Sequence, residues 1–232
     1  MDEPSGDWSG LPVSVSETIV REFFELHGFL VHQRRKFVTP SLRDEEEIDF
    51  LILNPRPVKA PGPLPAVLEP DHLRRVARAI VVVKGWHTET FGPGRLERTS
   101  GLFRFASPDV EKQARAFFGD GGEIDKVLVL PALPQDEGAR ARSLALLKSK
   151  GVDAVIPFRT MLADLIAHTE PNRNYQKSDL LQTIRVLKQY NLFREAQMEL
   201  FKARRPGRRS SKRLPASPAD LTSADDSPGG TS

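Results

Sequence analysis

Residues 79–86 read Ala-Ile-Val-Val-Val-Lys-Gly-Trp, and this stretch decides the fold. Such a dense run of β-branched residues predicts a strand that is buried on both faces, as in the centre of an α/β sheet. Lys84 follows the run directly, and an unpaired buried ammonium group costs several kcal/mol. We therefore expect the Lys84 amine to reach either water or an anionic partner.

A second apolar run, residues 48–53 (Ile-Asp-Phe-Leu-Ile-Leu), carries the candidate partner near its start. Asp49 supplies a carboxylate there, so each of the two predicted strands carries one of two opposite charges. This pattern is typical of a functional site rather than of a plain core. A structural ion pair between Asp49 and Lys84, without a function, is the alternative that the sequence leaves open.

Length and composition exclude several classes of protein. The chain has 232 residues, which suffices for one domain of ordinary size with a full core and tails. It has no cysteine, and this excludes a disulfide framework, a thiol nucleophile and a cysteine-based metal site. No apolar stretch approaches the roughly 20 residues that a membrane span needs, and the first six residues are acidic and polar, unlike a signal peptide. We expect a soluble cytoplasmic protein with no membrane partner.

The basic charge of the chain is concentrated in its last 31 residues, 202–232. These hold seven Lys or Arg and three Asp, a balance of 7 − 3 = +4, which leaves 3 − 4 = −1 for residues 1–201. A basic cluster of this kind attracts polyanions without sequence preference, and a disordered, solubilising tail is the equally open alternative. The candidate contacts to nucleic acid in the tail are Arg204, Arg205, Arg208 and Arg209.

Helix caps, prolines and glycines divide the chain into predicted segments. Residues 1–13 are predicted to be disordered, and 14–170 to form the α/β domain, within which 54–70 hold six prolines and form a loop. Residues 171–201 form a helical element and 202–232 a disordered tail. The apolar stripe of 178–201 packs on the body or serves a protein partner or self-association.

The predicted order of elements is helix, three strands, helix, strand, helix, strand and two helices. Ser14 caps the first helix, and Glu17 completes a capping box. Residues 92–94 (Gly-Pro-Gly) predict a turn, and 102–105 the returning strand of a hairpin. Three early strands indicate an antiparallel meander, and the later alternation indicates parallel crossovers, so we expect a mixed central sheet flanked by helices.

Four features of this order resemble the PD-(D/E)xK nuclease superfamily, which has the restriction-endonuclease-like fold. They are an opening helix with Glu17, a strand with Asp49, a following strand that ends in Lys84 and Gly85, and a helix with Gln113. The resemblance covers residues 14–130, about half of the chain, and its motif is short. It implies a restriction-endonuclease-like core with a C-terminal α/β and helical extension.

The resemblance also implies a function, that of a nucleic-acid-associated protein and a Mg²⁺-dependent phosphodiesterase acting on DNA or RNA. Asp49 and Glu17 would bind Mg²⁺, Lys84 would assist the attacking water, and Gln113 would lie near the active site. Such a metal polarises the scissile phosphate, and a lysine balances the developing negative charge.

Val82 is the one departure from the family pattern, which places Asp or Glu two residues before the lysine. The carboxylates that could replace the missing one are Glu17, Glu47, Glu89 and Glu111. The alternative is a catalytically inactive member that acts as a nucleic-acid-binding or protein-interaction scaffold.

Outside this motif the sequence offers weaker signals. Arg34, Arg35 and Lys36 lie in a basic strand that either follows a phosphate backbone or protects a sheet edge by charge. Trp86 and His87 either stack on a base or close a core strand. The remaining histidines are scattered without metal-ligand spacing, and no phosphate-binding loop or nucleophile elbow is present.

Overall fold

The computed structural model describes residues 15–34, 48–119 and 122–193. The described residues up to Leu192 belong to one compact unit, and a second unit begins at Phe193. The predicted cap at Ser14 and the candidate residues Arg35, Lys36 and Glu47 lie outside the described residues, as does the whole tail. No helix in the described part of the chain is long and apolar enough to cross a membrane.

A five-stranded mixed sheet forms the centre, with its strands in chain order. The strands are β1 (Leu30–Gln33), β2 (Phe50–Leu53), β3 (Arg78–Val83), β4 (Asp125–Leu130) and β5 (Ala154–Pro157). β1, β2 and β3 pair antiparallel, and β3, β4 and β5 pair parallel. The predicted meander followed by parallel crossovers is therefore confirmed, as is the general α/β class.

Helices cover both faces of the sheet. They are α1 (Val15–Leu26), α2 (Pro93–Arg98), α3 (Pro108–Phe118), α4 (Glu137–Ser149), α5 (Phe158–His168) and α6 (Asp179–Gln189). α1 packs against α5, and both contact the sheet. α2, α3 and α4 contribute Leu96, Ala114 and Leu147 to one hydrophobic cluster. The strands contribute the side chains on the sheet face that α1 and α5 do not cover. The result is three layers, because alternate strand residues point to opposite faces.

The run that opened the sequence argument forms β3, the middle strand of the sheet. Residues Ala79 to Val81 have no exposed surface, and Val82 is 3% exposed. Parallel pairing with β4 and antiparallel pairing with β2 place this strand between two neighbours, so both of its edges are satisfied. The prediction of a strand buried on both faces is confirmed.

The predicted hairpin over residues 87–105 is wrong. α2 begins at Pro93, with Gly92 in extended conformation as its N-cap, and residues Ser100–Ala106 form a 3₁₀ helix. Proline at the first turn of a helix has its φ already set, so Gly-Pro-Gly here begins a helix rather than a hairpin turn. Leu102 and Phe105 are three residues apart, the spacing of one 3₁₀ turn, and both are buried.

The proline-rich loop, residues 54–70, takes part in the sheet at one point. The N–H of Val155 donates to the Ala66 carbonyl (2.9 Å), and the N–H of Leu68 donates to the Val155 carbonyl (2.9 Å). Val67 thereby forms an isolated parallel bridge with Val155 on β5. The loop leads into the other 3₁₀ helix, Pro70–Arg75.

Candidate functional site at one end of the sheet

The structure brings the ends of three strands together where the sequence predicted a site. β1 and β3 both run antiparallel to β2, so the carboxyl ends of β1 and β3 lie beside the amino end of β2. Asp49 immediately precedes β2, and Lys84 immediately follows β3. The two residues therefore lie on neighbouring strands at the same end of the sheet.

Asp49 ties three strands together through its own atoms. Its carboxylate Oδ2 accepts a hydrogen bond from the Val83 N–H (2.6 Å), and its main-chain N–H donates to the Val81 carbonyl (3.2 Å). Its carbonyl accepts from the Arg34 N–H (3.0 Å). Val81 is also the register partner of Phe50, so the ladder shifts by one residue here, as in a β-bulge. The carboxylate supplies the acceptor that the Val83 N–H then needs.

Lys84 is half-buried, and its backbone extends the ladder by donating from its N–H to the Val129 carbonyl (2.9 Å). Within the described ranges its amine makes no ion pair of 4.0 Å or less. The structural ion pair with Asp49 that the sequence left open is thus absent at this distance. Within the described ranges, the ammonium group is therefore left to contact water or an anion that approaches this end of the sheet.

Two further candidate residues reach the same end from opposite layers. Glu17 lies in the first turn of α1, and its Oε2 accepts from Gln33 Nε2 at the end of β1 (2.7 Å). Gln113 lies on α3, and its Oε1 accepts from the Arg34 guanidinium at 3.4 Å. The strand end at residues 33–34 therefore connects Glu17 on one face of the sheet with Gln113 on the other.

A loop after Lys84 forms the outer wall of the site. His87 Nε2 lies 2.9 Å from the hydroxyl of Ser16, which is 5% exposed. Trp86 is 45% exposed and stacks in parallel on the buried Phe91 ring, with centroids 6.1 Å apart. The Arg95 guanidinium lies 5.4 Å from the Trp86 ring, a cation–π arrangement that keeps a positive charge at this surface.

The described residues do not fit the Mg²⁺ site that the resemblance implies. Mg²⁺ prefers several oxygen ligands, and the described part of the chain contains no group of three His, Cys, Asp or Glu side chains that could hold a metal ion. Val82, at the position of the missing acid, belongs to the hydrophobic cluster. Asp49 and Glu17 each have one carboxylate oxygen in a hydrogen bond within the protein.

Two of the three substitute acids in the described ranges, Glu89 and Glu111, are engaged elsewhere. Glu89 lies 3.4 Å from Arg95 in the loop after β3. Glu111 accepts from Lys126 Nζ (2.8 Å), and Lys126 is the second residue of β4, at the opposite end of the sheet. Hydrogen bonds from Lys126 and Arg115 lower the pKa of the Glu111 carboxyl, which is the signature of a fixed ion pair.

Ser16 and Gln33 belong to this site although the sequence argument did not name them. Ser16 precedes Glu17 on α1, and Gln33 precedes Arg34 on β1, so each lies beside a residue that was named. Neither carries a charge or a motif, and their contacts join residues 71 and 16 positions apart. Ser16 and Gln33 come to the site only because α1 packs along the sheet, and the sequence alone does not show this packing.

Searches of protein-family models, of curated proteins and of solved structures found no match to this chain.

Proposed function

We propose that this protein binds nucleic acid at the carboxyl end of β3 and does not cleave it. This is the non-catalytic alternative within the restriction-endonuclease-like class. The observation that carries it is the contrast between Val82 on β3 and Lys84 just after the strand: Val82 is a core residue 3% exposed, whereas Lys84 makes no ion pair in the described ranges. A bound phosphate group compensates the charge of Lys84, and no acid in the described ranges completes a metal site with Asp49.

The environment of Lys84 supports a phosphate ligand. The Asp49 carboxylate, on the neighbouring strand, has one oxygen committed to the Val83 N–H. Arg34 lies at the adjoining strand end, and Arg95, which pairs with Glu89 at 3.4 Å, lies on α2. Lys84 and Arg34 supply the positive charge at the strand ends that binding to a phosphate backbone requires.

The order of helices and strands supports the class. α1, three antiparallel strands, α3 and β4 follow one another as in the restriction-endonuclease-like core that the sequence resembles. Asp49, Lys84, Glu17 and Gln113 all lie at one end of that sheet. In this arrangement Lys84 can contact a phosphate, but Val82 stands where the family has the metal-binding acid. Such a site suits the binding of nucleic acid better than its hydrolysis.

Binding is tested with fluorescently labelled single-stranded and double-stranded DNA and RNA, by anisotropy at low salt. Lys84→Gln should weaken the affinity about fivefold to tenfold, because one direct phosphate contact to a charged group contributes about 1–1.5 kcal/mol. Lys150→Gln makes the same charge change at an exposed position after α4, and should leave the affinity nearly unchanged. Equal affinities of the two variants would refute binding at this end of the sheet.

Cleavage is tested separately by incubating the same nucleic acids with Mg²⁺ or Mn²⁺. We expect no products with the wild-type chain. Cleavage that is lost in both Asp49→Ala and Lys84→Ala would overturn the non-catalytic proposal and favour the Mg²⁺-dependent phosphodiesterase. Introducing the missing acid with Val82→Glu is a complementary test, with the thermal melt of the variant recorded to show that the buried change is tolerated.

A further inference from the structure

A cleft of about 690 Å³ lies between the end of α1, the proline-rich loop, the first 3₁₀ helix and α5. It is at the opposite end of α1 from Ser16 and Glu17, about 15 Å away along a helix of this length. It is therefore separate from the site proposed above. The ionisable side chains that line it are His27, Arg56, Asp71, Arg74, Asp164 and His168.

A buried carboxylate organises two histidines in this cleft. Asp164 on α5 is buried, and its Oδ2 lies 2.8 Å from His27 Nε2. His168, one turn further along α5, places Nδ1 3.3 Å from Asp164 Oδ1 and 3.0 Å from the Asp164 carbonyl oxygen. A carboxylate only accepts, so the ring nitrogens that face it carry the protons. The two imidazole rings lie 6.1 Å apart at an angle of 73°.

Each histidine retains a second ring nitrogen for a ligand. In the described part of the chain, the Nδ1 of His27 and the Nε2 of His168 make no hydrogen bond. His27 is fixed further by edge-on packing against the Phe23 ring, with centroids 5.0 Å apart. These outer nitrogens accept a hydrogen bond when the imidazole is neutral and donate one when it is protonated. Because both rings are held in place, they lose little entropy on binding, which favours a specific ligand over general attraction.

Two arginines contribute positive charge to the cleft, which Asp71 also lines. Arg56 and Arg74 both have exposed side chains, and neither makes an ion pair within the described ranges. The Arg56 main chain is fixed by a hydrogen bond to the Asn54 side chain (2.9 Å). The Arg74 carbonyl accepts from the Val58 N–H (2.7 Å). The main chain of each arginine is therefore held by a hydrogen bond.

We propose that this cleft binds a phosphomonoester, with the phosphate between the two arginines and the paired histidines. Arginine N–H groups and the N–H groups of protonated imidazole are the donors that suit phosphate oxygens. A volume of about 690 Å³ far exceeds that of a phosphate ion and falls in the range of small-molecule sites. The remaining part of the ligand therefore occupies the cleft, beside Pro55, Pro70 and Leu73.

The test is calorimetric titration of the full chain with adenosine 5′-monophosphate and, in a second arm, with inorganic phosphate. We expect saturable binding of the nucleotide about tenfold tighter than that of phosphate. Arg56→Ala and Arg74→Ala should each weaken it about tenfold, because each removes a charge-assisted contact. Arg159→Ala, an exposed arginine outside the cleft at the start of α5, should have no effect.

Three outcomes would overturn the proposal: no binding of either probe at millimolar concentration, equal affinity for the two probes, or unchanged binding in Arg56→Ala and Arg74→Ala. Both arginine side chains are exposed, so these variants are expected to fold, and their melting curves check this. Lys84→Gln should bind the nucleotide as the wild type does, which distinguishes this cleft from the nucleic-acid site.

Discussion

Asp125, the first residue of β4, is the described side chain whose environment most disturbs its protonation. Burial raises the pKa of its carboxyl to about 6, and the neighbouring carboxylates Asp153 and Glu123 act in the same direction. The folded protein therefore binds this proton more tightly than the unfolded chain does. Its contribution to stability is present below about pH 4 and is lost as the pH rises through about 6.

Asp125→Asn should accordingly stabilise the protein at alkaline pH. We expect the free energy of unfolding at about pH 8 to rise by about 1 kcal/mol, less than a shift of this size implies in full because the carboxyl is still partly open to water. The gain should vanish at about pH 4, where Asp125 is mostly protonated in the folded protein. Urea unfolding at the two pH values measures both quantities.

Glu97→Gln, which removes an exposed carboxylate on α2, is the matched control for Asp125→Asn. It should change the free energy of unfolding by less than about 0.5 kcal/mol at either pH. If Asp125→Asn destabilises the protein at about pH 8, the Asp125 carboxylate has a favourable role that its acidic neighbours do not suggest.

At the same scale, the sequence predicted the position of Asp49 and Lys84 but not their contacts. Both positions were predicted because each charged residue lies at the edge of a run of apolar residues, which is a local signal. That the Asp49 carboxylate bonds to the Val83 N–H depends on a one-residue shift in the ladder. Such a shift is a property of the pairing of two strands, and neither strand shows it alone.

At the scale of elements, α1 approaches the end of β3 more closely than a larger residue at position 85 would allow. A Cβ added at Gly85 would lie 2.6 Å from the Ser16 hydroxyl oxygen and 3.2 Å from the Ser16 Cβ. Glycine at this position therefore sets how closely the helix packs, and it holds Ser16 where its hydroxyl meets His87.

Gly85→Ala should destabilise the protein by about 1–2 kcal/mol, because the new methyl group displaces the Ser16 hydroxyl from its hydrogen bond. Ser16→Ala removes the atom that clashes. In the double variant Gly85→Ala/Ser16→Ala we expect less destabilisation than the sum of the two single changes. Thermal unfolding of the four proteins completes the cycle, and strictly additive losses would show that the two residues do not meet.

The helices show where local sequence signals suffice. Ser107, Asp136 and Ser178 accept hydrogen bonds from main-chain N–H groups in the first turns of α3, α4 and α6, and Ser and Asp are the residue types that mark helix starts in a sequence. α6 ends at Gln189, and Asn191 follows with a positive φ of 58°. The segment 87–105 was missed because its buried side chains suit either a hairpin or short helical turns, and packing on α3 and α4 selects the helical turns.

At the scale of the whole molecule, the charge lies mainly outside the described fold. Removing residues 204–232 takes away six of the seven basic residues of the tail together with its three acids. We expect the truncated chain to bind nucleic acid more weakly, with a salt dependence shallower by about 0.7–0.9 for each phosphate that the tail no longer neutralises. Lys84→Gln should still reduce the affinity of the truncated chain.

Anisotropy titrations at several salt concentrations measure this for both chain lengths. A truncated chain without any binding would assign the whole nucleic-acid interaction to the tail and none to the sheet. Truncation without any effect would instead show that the predicted nucleic-acid-binding residues Arg204, Arg205, Arg208 and Arg209 take no part.

The sequence predicted the general architecture because alternating elements and buried strands are local patterns, and these decided the meander and the crossovers. It did not predict the cleft around Asp164. His27 and Asp164 are 137 positions apart, and the separate histidines showed no spacing that would bring them together. Long-range contacts of this kind depend on the packing of α1 against α5, which no single segment encodes.

The bridge between Val67 and Val155 has a further consequence for how the molecule behaves in a crowded solution. The edge strand of an open sheet has unpaired N–H and C=O groups that can pair with a strand of another molecule, and such pairing leads to aggregation. Here that strand already has a neighbour from its own chain, and the prolines around Val67 have no N–H to offer beyond it. The segment that looked least structured in the sequence thus covers part of the β5 edge of the sheet.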